Sequence, residues 1–396
     1  MDSFRKKVYL EPPGKLHSYF RTLLSHPPEG YEFVLNNSAW DASVAGPMMS
    51  NDFIYYTLQR KVIEPLLPIH LVKAYLEKFF KRPPVGTVLT YSYGHPIFRH
   101  EPWVVELEWV NQLVGYNAAH LPRYKGVLER AFESAECKAV LCWSELCRNG
   151  LLNALDCEKF AHKIHLVLHA VPPKNFVKTV DDSRVKLFFV GSSNIPGEFH
   201  LKGGKEVLES FRILCARYQN LELVIRSDIP PEIKEQYSGM PGVRFIEEAL
   251  PWPDLEREFQ TADIFLFPGH HTPFMVLLDA LSYGLPVVTT NAYANGELVE
   301  DGVTGFVVPA SDQVPYYVRE SIPDGRSRSF VAATERLDAR VVQDIVARTS
   351  MLIEDRELRE RMGQAARWEV EHGRFSIKRR NECLKRIFDE AIGDSA

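Results

Sequence analysis

The sequence predicts an α/β fold of two Rossmann-like, doubly wound domains facing a central cleft. Three observations predict it. The chain of 396 residues exceeds what one hydrophobic core usually holds and suits two domains of ordinary size. Short apolar runs alternate with amphipathic segments along its length, as in β-α units built around a parallel sheet. Most of these runs are close to continuously apolar, which is what strands covered by helices on both faces require. Apolar residues make up 45% and charged residues 25%, a globular composition that excludes a disordered or fibrous chain.

In chain order, KVYLE (7–11), EFVLN (32–36), TVLTYS (87–92), WVVELEW (103–109), AVLCWS (139–144) and IHLVLHAV (164–171) read as strands of the first half. KLFFVGS (186–192), LELVIRS (221–227), VRFIEE (243–248), DIFLFPG (263–269), PVVTTN (286–291) and TGFVVPA (304–310) read as strands of the second. The proline-containing AVPPKNFVKTVDDSR (170–184) is the expected linker. The domains are therefore placed at 1–175 and 183–372, with 373–396 as a carboxy-terminal helix crossing back to the first. Residues 356–393 carry two helical patterns broken at Gly373. SIPDGRSRSFVAATERLDAR (321–340) is longer than a usual connection and is expected to be a mobile loop or an insertion.

Lys and Arg total 47 against 52 Asp and Glu, a formal charge of −5, so no basic excess points to nucleic acid. The start, MDSFRKKVYLEPPG, lacks the apolar run of a signal peptide, and no stretch reaches the roughly 18 apolar residues of a membrane span. Six cysteines without a C-x-x-C pair are expected to be reduced and buried, in a cytoplasmic protein. HLVKAYLEKFFKRPP (70–84) interleaves Lys73, Lys78, Lys81 and Arg82 with Leu71, Tyr75, Leu76, Phe79 and Phe80. Two readings stay open: an ordinary helix packed on the sheet, or a peripheral contact with the inner face of an anionic membrane.

The most informative stretch runs from Lys186 to Pro309. KGGKEVLESF (202–211), PGVRFIEEALPWPDLEREFQTADIFLFPG (241–269), LLDALSYGLPVVTTN (277–291) and GELVEDGVTGFVVP (296–309) occur in one order and spacing, with WEVEHGRFS (368–376) beyond them. Together they resemble the carboxy-terminal domain of GT-B glycosyltransferases, specifically the large retaining group called family 4. The resemblance implies a nucleotide diphosphate sugar as donor, no cofactor and no metal.

A diphosphate leaving group gains negative charge, and cations or helix amino termini aimed at it stabilise it. By the resemblance, Lys202 contacts the diphosphate. The family's arginine after the glycine of the preceding strand is missing, since Gly191 is followed by Ser192; Arg226, ending the next strand, is the substitute cation. A solvated lysine and a plain surface arginine are the alternatives. In FPGHHTPFMVLLDALSYG (267–284) the family carries two glutamates eight positions apart. Asp279 replaces the second, as ribose ligand. The first is gone: counting back eight reaches His271, while the loop counted from Pro268 reaches Thr272. Thr272 and Pro273 read as a helix start, with Thr as N-cap ahead of Phe274. His270 and His271 are expected to bond sugar or phosphate rather than a metal, with a plain loop as the alternative. Glu297 opens a helix in a glycine-glutamate turn, either for the donor or for the helix dipole. Phe245 lies on the strand edge whose backbone holds the base.

In the first half, PPGKLHSYF (12–20) resembles the loop near the donor phosphate, with Gly14 and Lys15. His95 ends TYSYGH, as a substrate contact or a satisfied structural histidine. Glu108 stands where family members place a histidine near the reacting carbon, as a departure that alters the chemistry or as a polar strand-end residue. Lys202, Glu108 and His271 are the expected catalytic residues. Gly14, Lys15, His95, Ser192, Arg226, Phe245, His270, Thr272, Pro273, Phe274, Asp279 and Glu297 are the expected substrate contacts. The reading is retaining transfer of a hexose to a sugar, lipid or small-molecule acceptor. The rival is a GT-B protein that has lost transfer and binds a nucleotide, glycan or protein, favoured by the three departures from the family pattern.

Overall fold

The computed structural model describes residues 5–11, 18–35, 66–176, 178, 183–192, 197–325 and 327–393. The first sheet holds β1 (Lys6–Glu11), β2 (Tyr31–Val34), β3 (Thr87–Tyr93), β4 (Trp103–Leu107), β5 (Cys137–Cys142) and β6 (Ile164–Leu166) in the order β2-β1-β3-β4-β5-β6. Its helices are α1 (Ser18–Ser25), α2 (Ile69–Glu77), α3 (Leu121–Glu133) and α4 (Glu145–Ala154). The second sheet holds β7 (Val185–Val190), β8 (Leu221–Arg226), β9 (Val243–Ile246), β10 (Ile264–Phe267), β11 (Val287–Thr290) and β12 (Gly305–Val308), ordered β12-β11-β10-β7-β8-β9. Around it lie α5 (Gly204–Cys215), α6 (Pro231–Tyr237), α7 (Trp252–Thr261), α8 (Phe274–Ser282) and α9 (Asn295–Leu298). After the hairpin β13 (Tyr317–Arg319) and β14 (Ile322–Pro323) come α10 (Arg328–Thr334), α11 (Ala339–Glu354), α12 (Arg356–Glu371) and α13 (Ile377–Ile392).

Every pairing within the two large sheets is parallel. Consecutive strand residues such as Val104 and Val105, or Phe265 and Leu266, are fully buried, so both faces of each sheet are covered. The apolar runs follow from that requirement. IHLVLHAV pairs for three residues only, because the chain leaves the sheet towards Pro172 and Pro173, which have no N–H to offer a ladder. In each sheet the strand order reverses beside the first strand, between β1 and β3 and between β7 and β10. Ligands of doubly wound sheets bind outside the carboxyl ends of the strands at such points.

Helix α13 lies on the first domain. Phe388 packs edge-on against Tyr31, Phe33 and Tyr91, and Tyr31 donates to Asp389 Oδ1 at 2.6 Å. Arg380 Nη2 donates to the carbonyl of His26 at 2.7 Å. The segment read as a mobile loop or an insertion, 321–340, supplies β14 and α10 among its described residues, and Ile322 is buried in the first domain's core. Its polar composition hid two apolar anchors, Ile322 and Phe330. All six cysteines are free, and Cys137, Cys142, Cys147 and Cys157 are buried. Among the described residues no helix is long and apolar enough to cross a membrane.

Candidate functional site

The site forms at the β7–β10 switch point. The loop after β7 ends in Lys202-Gly203-Gly204, and Gly203 adopts a left-handed conformation (φ 81°). A Cβ there would stand 2.5 Å from the carbonyl oxygen of Pro268, so glycine alone lets this turn press against the loop after β10. The approach brings Lys202 Nζ to 2.6 Å from His271 Nε2, with Glu198 Oε2 at 3.7 Å. An ammonium can only donate, so His271 Nε2 accepts and the ring is neutral. Burial lowers the Lys202 pKa against the opposing charges of Glu198 and Glu108. Burial, and then the charge of Lys202, holds His271 well below the ordinary histidine range.

His270 points the other way. Its Nδ1 lies 2.9 Å from the Tyr316 hydroxyl, and its Nε2 lies 3.5 Å from Glu206 Oε1 in the interior. The two histidines thus diverge and share no ligand position. Thr272 is not the N-cap of α8: its Oγ1 accepts from the amide of Ala294 at 2.9 Å, and Pro273 takes the cap position. Phe274 is a wedge between domains rather than an open substrate contact, set edge-on against Trp143 (5.3 Å) and His169 (5.8 Å).

On α8, burial raises the Asp279 carboxyl to about 7, with Lys174 opposing and Glu256 reinforcing the shift. Arg226 ends β8, next to β7, and is only 9% exposed. Burial lowers its pKa, its Nε has no partner, and no carboxylate pairs with it among the described residues. Beside it the Ser192 carbonyl accepts from the amide of Asp228 at 2.7 Å. β9 is the sheet edge, with the Phe245 side chain turned onto the core and its backbone left at the rim.

Glu297 does not stand free for a donor. Its carboxylate accepts from the amides of Glu145 (2.6 Å) and Leu146 (2.9 Å), while Ser144 takes the amide of Cys147 (3.1 Å). The second domain thereby caps the amino terminus of α4 in the first, where a negative charge also favours the helix dipole.

Across the cleft, Glu108 accepts from Tyr116 at 2.9 Å, and burial raises its pKa while Tyr116, Trp109 and the Lys202 charge oppose the rise. His95 is not a free substrate contact: its Nδ1 faces the Tyr93 carbonyl (2.9 Å) and its Nε2 faces Glu11 (3.7 Å). Glu11 also binds Arg99 (2.6 Å) and Lys81 (2.9 Å). Burial would raise Glu11, but hydrogen bonds from His95 and Arg99 outweigh it and hold the carboxyl well below its usual range. Gly14 and Lys15 lie outside the described residues. Sequence reasoning missed Glu106, buried near the end of β4, two residues before Glu108, and accepting from Tyr19. The signal was there in WVVELEW, where two acids stand two residues apart in an apolar strand.

Residues 184–319 match the model of the family Glycosyl transferases group 1. Across 97% of this chain and 99% of its own, the structure of Anabaena HepE with UDP-glucose superposes with a TM-score of 0.58 at 13% identity. WaaG, a glycosyltransferase of lipopolysaccharide biosynthesis, covers 96% and 99% with a TM-score of 0.56 at 14% identity. The fold is GT-B. In sequence, 175 residues are 26% identical to the sulfoquinovosyl transferase SQD2 of Arabidopsis thaliana, covering 43% of this chain and 28% of that protein. A further match, 25% over 201 residues, is the capsular polysaccharide glycosyltransferase CapM of Staphylococcus aureus, covering 49% of this chain and 44% of the relative. The chain therefore spans less than half the length of either relative. Within the GT-B frame, Lys202, Arg226, His271 and Asp279 all lie on the second domain, and Glu108 on the first faces Lys202.

Proposed function

We propose that this GT-B protein is a glycosyltransferase that moves a hexose from a nucleotide diphosphate sugar to an acceptor hydroxyl, with retention of configuration. The observation that carries the reading is the buried Arg226, which has no carboxylate partner among the described residues, one strand away from the desolvated Lys202. A buried cation without a carboxylate partner is costly, and a diphosphate is an anion that would relieve Arg226 and reach Lys202 beside it. In the transfer, the bond from the sugar's anomeric carbon to the diphosphate breaks and the acceptor oxygen bonds that carbon on the same face. The acceptor's proton passes to the departing phosphate oxygen. Lys202 and Arg226 stabilise the charge growing on the leaving group, which is where preorganised cations accelerate most. Asp279 accepts from the ribose diol, the β9 backbone at Phe245 holds the base, and the neutral His271 bonds a sugar or phosphate oxygen. Glu108 orients the acceptor from the first domain. No metal is needed in this scheme, and HepE, the structural neighbour solved with UDP-glucose, supports a hexose donor.

Thermal-shift titration with UDP, GDP, ADP and their hexose conjugates tests the reading. One base should raise Tm by mass action, and the conjugate of that base should do so too. A melting point unmoved by all of them at millimolar concentration defeats it.

The proposal includes a peripheral membrane contact by α2 and the turn after it. Leu66, Val72, Tyr75, Leu76, Phe79 and Phe80 are exposed among the described residues, Phe79 at 67% and Phe80 at 72%. Leu71 and Ala74 face the interior, so the helix has one buried and one open apolar side, with Lys73 and Arg82 exposed beside the latter. Flotation should recover the protein with anionic vesicles and much less with zwitterionic ones. Phe79→Ser with Phe80→Ser should cut recovery about tenfold or more. Equal recovery on both vesicle types removes the contact from the proposal.

A further inference from the structure

The hairpin β13–β14 belongs to the second domain by sequence and to the first by packing. Its tip turns at Ser321, held at φ 57°. Ile322 is 4% exposed among first-domain residues that include Val110, Leu113, Cys147 and Leu151. Polar bonds flank that anchor. Asn111 Nδ2 donates to the Pro323 carbonyl at 3.0 Å, Arg319 Nη2 donates to the Asn153 carbonyl at 2.5 Å, and Asn153 Nδ2 donates to the Glu320 carbonyl at 3.3 Å. Gly150, inside α4, makes the seat: a Cβ there would stand 2.5 Å from the Ser321 carbonyl oxygen and 3.1 Å from Val110 Cγ1.

The root of the hairpin reaches the candidate site. Tyr316 places its hydroxyl 2.9 Å from His270 Nδ1, and its own carbonyl accepts from the Tyr293 hydroxyl at 2.8 Å. Tyr293 in turn packs edge-on against Trp109 of the first domain, at 4.5 Å. His270 is therefore held between a phenol and the buried Glu206, and the next residue is His271, paired with Lys202. We infer that the hairpin is a strap between domains whose seating on α4 positions the His270–His271 loop through Tyr316, making Tyr316 a positioning residue. What the loop does once positioned rests on the donor-site reading above; the seating does not.

The chain of contacts has a specific logic. Ile322 burial and the Gly150 seat exist only when the two domains are together, so domain approach and the fixing of Tyr316 are one event. A tyrosine fixed at the root sets the orientation of the His270 ring by holding its Nδ1, which leaves Nε2 turned towards Glu206. The adjacent His271 then meets Lys202 in a single geometry.

A double-mutant cycle tests the seating. In a chain whose residues 317–323 are replaced by a Gly-Ser linker of equal length, Gly150→Ala still meets Val110 Cγ1 but no longer the Ser321 carbonyl. Alanine is favoured over glycine inside a helix, so the substitution should cost clearly less Tm there than in the intact chain. In the intact chain the same substitution meets the Ser321 carbonyl and should lower Tm by roughly 2–4 °C, while speeding tryptic cleavage at Arg319, which is exposed but bonded to Asn153. An equal change in Tm in both backgrounds overturns the strap. Histidine-selective NMR tests the positioning. Tyr316→Phe and Gly150→Ala should both shift the His270 and His271 ring signals and leave the exposed His100 unmoved. Unmoved His270 and His271 signals in both variants overturn the positioning role. Where UDP binds the wild type, Tyr316→Phe should weaken it about three- to tenfold, and equal binding also overturns that role. If the wild type binds none of UDP, GDP and ADP, the donor reading fails, and the melting and NMR results still decide the strap.

Discussion

Lys202→Ala is expected to weaken binding of the matching nucleoside diphosphate by about 10- to 100-fold while leaving affinity for the nucleoside itself unchanged. The magnitude is that of one charge-assisted hydrogen bond to phosphate, about 1.5–3 kcal/mol. The loss in turnover should be larger, about 10²–10³-fold, because the charge Lys202 faces grows as the diphosphate departs. Two further readouts follow from the desolvated state of this lysine. Burial lowers its pKa in the free protein, and bound phosphate oxygens raise it again, so binding should take up protons. Affinity should therefore fall as pH rises past the free protein's Lys202 value, and calorimetry in buffers of different ionisation enthalpy should show the uptake in the wild type and its loss in the variant. The partner histidine reports the same change from the other side. Its pKa is depressed first by burial and then by the ammonium, so removing Lys202 should move it upward by the second contribution alone. Identical diphosphate affinity in wild type and variant would place the leaving group elsewhere.

The sheets were legible because strands buried on both faces must be apolar at every position, and a run such as KLFFVGS has few other uses. In the tail, Gly373 separates two helical patterns, and Ser376 caps the second by accepting from the amide of Arg379. The cleft was only partly legible. Lys202 and Asp279 stand in a local pattern, whereas the partners that give Thr272, Phe274 and Glu297 their roles lie far along the chain. Thr272 answers to Ala294, Phe274 to Trp143 and His169, and Glu297 to the amides of residues 145 and 146. A local signal such as a threonine before a proline was read as a cap because nothing nearby announced the competing acceptor. His95 is similar: its partner Glu11 sits on another strand, and only the fold brings them together. The hairpin hides best of all, since its one anchor, Ile322, is set in a sequence that is otherwise that of a solvent-facing loop. Charge pairs and caps made between domains carry no periodicity, and periodicity is what a single sequence displays.

Glu106→Gln is expected to stabilise the protein at alkaline pH and to flatten part of its pH dependence. Glu106 is 1% exposed, and burial raises its carboxyl from 4.5 to about 7 against hydrogen bonds from Tyr19, Trp143 and Tyr91 and the charge of Arg380. The folded pKa thus exceeds the unfolded one. Between those values the native state keeps a proton that the unfolded chain has released, so the group's stabilising contribution is full below about pH 4.5 and is lost as pH rises through 7. The full loss is about 3 kcal/mol. Glutamine has the shape of the protonated acid, still accepts from Tyr19, and does not titrate. The stability difference between variant and wild type should therefore be small and constant below pH 4.5, then grow in the variant's favour to roughly 3 kcal/mol by pH 8. Asp279, raised in the same direction, keeps some slope in both proteins, and subtracting one curve from the other isolates Glu106. Urea melts at half-unit pH steps would supply both curves. The opposite outcome, a variant that loses ground as pH rises, would mean that Glu106 is ionised and paired with the buried Arg380. The charge of α13 would then be what holds β4 and the crossing helix together.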